Sequence, residues 1–201
     1  MKQTLITLAC IVAFHGVLQA EPVQITSENV AFAYEINAEI PSPTESLAKI
    51  VSRDYRNAAD EFTARELFEK IKPIITKRLD AAKSVQTWTL MLGERLAPYD
   101  FSKAGFPTEL SDKTFVPFDN DYAVVFTNTP EFQLLPVPVE SAKAMARKLQ
   151  NNRTIELRVE GKVVGSKEQE LNYSARKVVL VEIVGITIKL EDGTLVGSKT
   201  R

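Results

Sequence analysis

A run of apolar and β-branched residues at 178–190, VVLVEIVGITIKL, constrains the fold most: it reads as a strand, and a strand that apolar obliges the rest of the chain to build a sheet around it. Gly185 inside it predicts a bend. Glu191-Asp192-Gly193-Thr194 follows as a hairpin turn, because Asp-Gly accommodates positive backbone φ, and returns the chain through Leu195 and Val196. Further strands are expected at 86–92 around Trp88, at 115–118 and at 122–127. Ile155, Leu157 and Val159 alternate with charged residues as a half-exposed strand does.

Helices occupy the earlier part. Residues 28–39 carry two patterns. Val30, Phe32, Tyr34, Ile36, Ala38 and Ile40 alternate like a strand, but the segment is rich in Ala and Glu and follows Thr26-Ser27, good capping residues, so the helix is preferred. After Pro41-Ser42-Pro43, the residues Leu47, Ile50, Val51, Tyr55 and Ala58 mark one helical face. Thr63 and Glu66 fit a capping box, and Phe62 with Leu67 fits a hydrophobic staple. The helix they open has Leu67, Phe68, Ile71, Ile74, Ile75 and Leu79 on one side and Lys70, Lys72, Lys77, Arg78 and Lys83 on the other. Pro73 should kink or divide it. One more helix, with Ala142, Met145, Ala146 and Leu149, lies between Pro136-Val137-Pro138 and Asn151-Asn152. The expected class is therefore α+β: an N-terminal helical part, about 27–83, packed on a mainly antiparallel sheet, about 85–198, with one inserted helix.

The first twenty residues read as an address. Lys2 precedes a mostly apolar stretch at 5–18, which gives way to Ala20 and a polar Glu21-Pro22, the order of a cleaved secretory leader. That stretch is short of the roughly 20 residues a membrane span needs, and no second one follows, so the mature chain is expected to lack a transmembrane segment. Lipid attachment at Cys10 is opposed by the apolar Ile11, Val12, Ala13 and Phe14 after it. Cleavage near Ala20 makes residues 21–201 one periplasmic or secreted α+β domain.

The leader would also carry away the only histidine and the only cysteine of the 201 residues. Nucleophile pairs built on histidine, zinc sites of cysteine and histidine, and disulfides are then excluded, so neither metal nor cofactor is expected. The formal net charge of −1 falls to −2 with the loss of Lys2 and removes the electrostatic reason to propose nucleic acid as a partner. Ser46-Leu47-Ala48-Lys49 matches the acylating S-x-x-K motif, but no K-T-G strand accompanies it, and a helix start with a solvated lysine explains it better. Residues 118–122, FDNDY, lack the glycine and later glutamate of a calcium loop and read as a turn.

One segment has the texture of a binding loop. Tyr99, Asp100, Phe101 and Phe106 sit in a linker with Gly105 and Pro107. Aromatics in loops serve recognition; the competing explanation is that Tyr99, Phe101 and Phe106 plug the seam between the helical and β parts. The expectation is an exported, non-catalytic module binding an envelope protein or a small ligand. The alternatives are a carboxylate-based hydrolase of cell-wall glycans, needing two carboxyls across a cleft, and a membrane-associated factor using Cys10 or the basic helix face.

Several landmarks stand in a telling order: Tyr55 with Asp60-Glu61-Phe62, Tyr99-Asp100-Phe101 with Gly105-Phe106-Pro107, Pro130-Glu131-Phe132 with Leu135-Pro136, the Ala142 helix, and Arg153 opening a strand. This order resembles a family of exported proteobacterial proteins catalogued only as a domain of unknown function. The resemblance spans most of the mature chain. It implies an envelope or secreted setting and carries no activity and no catalytic residue with it.

Overall fold

The computed structural model describes residues 23–85, 87–119 and 121–201. The expected leader, its cleavage near Ala20 and the Cys10 anchor lie outside the described residues, as do Gln86 and Asn120.

The first helix, α1 (Ser27–Asn37), starts where the Thr26 hydroxyl accepts from the Asn29 N–H. That cap uses a donor the helix cannot satisfy itself. Val30, Ala31, Phe32, Ala33, Tyr34 and Glu35 are all buried. Six consecutive buried residues cover every side of a helix, so α1 has no solvent face and must be walled all round. Val30, Phe32 and Tyr34 of the strand-like alternation are thus accounted for by burial on every side, whereas Ile40 lies beyond the helix and is 85% exposed.

Three helices supply one wall: α2 (Thr44–Val51), α3 (Arg53–Arg56) and α4 (Glu61–Ala82), with α2 and α4 touching α1. The single helix expected through Ala58 is two, because Ser52 has extended backbone (φ −130°) and caps α3 through Tyr55 N–H. The start of α4 also differs from expectation. Asp60 is its N-cap, accepting from the N–H groups of Phe62 and Thr63 and from the Thr63 hydroxyl. A carboxylate accepts several donors where a hydroxyl offers less, so Asp60 displaces the predicted Thr63 cap. Phe62 is then left 75% exposed, and no staple closes. Nor does Pro73 divide α4, which runs unbroken for 22 residues. The proline is exposed, so the carbonyl it leaves without a helical partner lies towards water. Ile71 and Ile75 are buried, and the basic side faces solvent.

The other wall is a mixed sheet centred on two long strands, β7 (Thr154–Leu171) and β8 (Ser174–Leu190). Four strands precede them in this sheet, β1 (Val23–Gln24), β2 (Thr87–Arg95), β4 (Phe115–Phe118) and β5 (Tyr122–Phe126), and β9 (Leu195–Thr200) follows them; β3 (Gly105–Pro107) pairs separately with β6 (Leu134–Pro136). Residues 160–177 extend both long strands beyond their apolar patterns. They turn at Asn172 and Tyr173, whose φ of 48° and 64° match the paired positive angles of a tight hairpin. The expected bend in β8 is a bulge: Glu160 faces Gly185 and Gly161 faces Ile183, which leaves Val184 unpaired. Gly161 is required there, since a Cβ would come 2.4 Å from Val181 Cγ1. The Asp-Gly turn forms as expected, with Gly193 at φ 81°.

Along its free side β8 has two neighbours in succession. Parallel β5 pairs with residues 177–181, and antiparallel β9 with 185–189. Asn128 bridges the gap by exchanging both hydrogen bonds with the backbone of Ile183. Among the described residues no helix is long and apolar enough to cross a membrane.

Phe32→Ala removes a large buried side chain of α1 and enlarges the space beside it. It is expected to cost about 3–5 kcal/mol in urea unfolding, with an unchanged m-value.

Candidate functional site

Two features emerge from this framework, a polar cluster beneath α1 and a groove beside α5 (Val139–Asn151). The cluster is built on Glu35, buried at the inner end of α1. Its carboxylate accepts from the Ser42 N–H at 2.5 Å, while the Lys177 ammonium stands 3.8 Å away and the Tyr122 hydroxyl 3.5 Å. Lys177 Nζ also donates to Ser42 Oγ at 2.6 Å and lies over the Tyr34 and Tyr122 rings. Burial, aided by Glu35, raises the pKa of both tyrosines, most strongly that of Tyr122.

A Ser–Lys pair needs a neutral amine to act as a general base. Here Lys177 Nζ donates to Ser42 Oγ and stands beside the Glu35 carboxylate and two aromatic faces, the contacts of a cation serving as counter-ion. The cluster is a buried ion pair with its partners supplied. Ser46 and Lys49 do not form a pair either. They lie a turn apart on α2 with Lys49 exposed, and no described hydrogen bond joins them.

The groove forms where the 99–106 loop meets α5. Its volume is about 380 Å³, and its walls are Tyr99, Phe101 and Phe106 on one side with Val139, Ala142, Ala146 and Leu149 on the other. The loop is fixed from several directions. Asp100 exchanges backbone hydrogen bonds with Gly105, and its carboxylate accepts from Ser102 N–H, Ser102 Oγ and Lys103 N–H. These bonds hold the Asp100 carboxyl below the usual range, the Ser102 hydroxyl contributing most. Gly105 presses against β6 so closely that a Cβ would sit 2.5 Å from the Leu135 carbonyl oxygen. Tyr99 donates its hydroxyl to the Val137 carbonyl at 2.7 Å and holds Phe101 and Phe106 edge-on, each 5.1 Å away.

The four nominated loop residues therefore divide. Phe106 is buried and does plug the interior, Tyr99 is a half-buried wall, and Phe101 projects with 78% exposure. Asp100 is outside the groove lining and shapes the turn. Sequence reasoning missed the opposite wall. Ala142, Ala146 and Leu149 were legible as one helical face, but nothing local tells that Ala146 is exposed while Met145 is buried. Three polar side chains complete the lining: Lys143, Gln150 and Arg153. Arg153 donates from Nε to the Leu96 carbonyl and from Nη2 to the Ala97 carbonyl, which ties β7 to the chain leaving β2.

A second cavity, about 450 Å³, lies between α1, the end of α4 and β7; among its described lining residues the carboxylate is Glu28, ion-paired with Arg78. Neither of these two cavities has two carboxyls among its described lining residues; a third, open one of about 570 Å³ on α4 has Glu66 and Glu69, but they stand three residues apart on one exposed helix face and not across a cleft, as a glycosidase needs. The carboxylate most displaced by burial is Glu94 on β2. Desolvation, and secondarily the charge of Glu109, pushes its carboxyl above the ordinary value, yet it borders neither cavity.

Residues 45–148 match the model of a family described as Domain of unknown function (DUF4852). No curated protein and no solved structure matches the chain. The matched span holds Tyr99, Asp100, Phe101 and Phe106 and most of α5.

The raised Glu94 carboxyl makes stability depend on pH. Its folded state favours the protonated form, so this contribution is present below the ordinary carboxylate value of about 4 and is lost as pH rises through the raised one. Glu94→Gln should therefore melt above the wild type at pH 7, and the two should converge in acid. An unchanged difference across pH would show that Glu94 does not titrate abnormally.

Proposed function

We propose that this chain, which belongs to the family described as Domain of unknown function (DUF4852), is an exported, non-catalytic binding module of the bacterial envelope whose binding surface is the groove between the 99–106 loop and α5. The observation that carries the reading is the mismatch between anchoring and exposure in that loop. Hydrogen bonds, a glycine-dependent strand pair and an aromatic triplet fix the loop, yet it presents Phe101 to solvent beside the half-exposed Val139. An apolar surface held rigid in this way loses little freedom when a ligand covers it. The volume falls at the low end of the roughly 300–1,000 Å³ typical of small-molecule sites, which favours a small ligand over a protein.

Export is supported by the charged start, apolar stretch and Ala20 boundary of the first twenty residues. The same cleavage would leave a chain with no imidazole and no thiol, in keeping with a role in holding a ligand. The membrane-associated alternative loses ground on α4, where Ile71 and Ile75 of the apolar stripe are buried and the helix packs on α1 and α2.

Two measurements check this. Mass spectrometry of protein recovered from the envelope should find a free amine at or near Glu21; an intact leader or a lipid on Cys10 would refute the export reading. An uncharged apolar fluorophore, N-phenylnaphthylamine, should bind the wild type, and Ala146→Trp, which fills the groove from an exposed helical position, should weaken it at least about tenfold, or about 1.4 kcal/mol. Its melting temperature should hardly move, because tryptophan costs a helix only a few tenths of a kcal/mol relative to alanine. Unaltered binding by Ala146→Trp would show that the groove is not the site.

A further inference from the structure

Resting on the groove as the binding surface, we infer that its ligand is a single-chain amphiphile with an anionic head, a fatty carboxylate, whose apolar chain lies between the aromatic loop and α5 and whose head meets Arg153 and Lys143.

The argument starts from charge. Among the described residues, the groove lining contains two cations and no carboxylate. Among the described residues, neither Lys143 nor Arg153 is ion-paired. Lys143 is exposed on α5, as a surface lysine ordinarily is. Arg153 is different. It is half-buried, and the backbone carbonyls of Leu96 and Ala97 take hydrogen bonds from Nε and Nη2. Carbonyls satisfy donors without neutralising charge. The guanidinium thus keeps a positive charge, held at a fixed orientation and partly withdrawn from water, where an incoming anion gains more than at an open surface. Asp100, the nearest acid in sequence to the loop aromatics, is turned to its own loop, where it bonds Ser102 and Lys103.

The remaining lining selects the rest of the ligand. Seven of the ten residues are Tyr, Phe, Val, Ala or Leu. A bound peptide would bring an N–H and a C=O with every residue, and each needs a partner when water is excluded. Among the described residues the groove offers three polar side chains, too few for a peptide but enough for one head group. Its modest volume suits one short chain better than a two-chain lipid.

The test uses the full mature protein and displacement of N-phenylnaphthylamine by dodecanoate and by dodecanol, at pH 8 and low salt. Dodecanoate should displace the fluorophore at a concentration at least about tenfold lower than dodecanol, since hydrogen bonds between ionised partners are stronger than those to a neutral hydroxyl. Lys143→Met, on an exposed helix position, should reduce that preference, and Ala146→Trp should weaken both amphiphiles at least about tenfold when their binding is read directly by calorimetry. Arg153→Met should nearly remove the preference. Should that variant unfold through loss of its carbonyl bonds, Arg153→Lys tests the same contact with the charge kept and the guanidinium fork removed. Equal displacement by the two amphiphiles overturns the anionic ligand while leaving an apolar binding groove intact, and so does a preference unchanged in both the Lys143 and Arg153 variants. Failure of the fluorophore itself to bind the wild type overturns the groove as a binding site.

Discussion

The burial of the middle of α1 on every side is the condition on which the rest of the structure depends. A helix with Val30 through Glu35 all out of contact with water has to be covered on every side. The chain meets this with α2 and α4 on one flank and β5, β7 and β8 on the other. Burying the apolar members is favourable by about 1.5–3 kcal/mol for each large side chain. Burying Glu35 is unfavourable unless its oxygens find partners. Those partners come from three separate places: the Ser42 N–H after α1, the Tyr122 hydroxyl on β5 and the Lys177 ammonium on β8. The same cluster that makes α1 tolerable as a central helix therefore locks the helical wall to the sheet.

The length of β8 carries this order outward. One strand is paired with β7 along nearly all of it, and on its other side with β5 and then β9. Where β5 stops, Asn128 borrows the ladder's geometry by bonding both backbone groups of Ile183. The chain is free to leave the sheet from there, and it forms the β6 segment that pairs with β3. Gly197 of β9 lies against Leu135 and Val137, so the pair rests on the sheet. Because Gly105 in β3 follows directly on the aromatic loop, the position of that loop is inherited from β8 through β9 and β6.

That inheritance explains why a groove persists beside α5 and is not filled. Phe106 is drawn inward by the β3–β6 pairing, Phe101 is turned outward by the Asp100 bridge, and Tyr99 is held between them by the Val137 carbonyl. The facing helix meets them with Ala142 and Ala146, too small to close the distance. A rigid aromatic wall opposite a small-residue wall, with Arg153 fixed at one end, is a preorganised arrangement suited to an apolar ligand with a charged head.

The α+β class, the positions of the main strands, the Asp-Gly turn and the helix at 139–151 were legible in the sequence, because each follows from contacts between residues a few positions apart. Alternation reports a strand, a 3.6-residue period reports a helix, and Asp-Gly reports a turn whatever lies elsewhere. The Asp60 cap was readable by the same local rule, and Thr63 obscured it only by being an acceptable cap too. What the tertiary structure alone decided are pairings across long stretches of chain: Lys177 with Ser42, 135 residues apart, Arg153 with Leu96, 57 apart, and Tyr99 with Val137, 38 apart. Whether Phe101 is a plug or a surface, and whether Ala146 is core or groove, depends on which distant segment arrives opposite. No local pattern encodes that, because loop closure and packing select it from the whole chain at once.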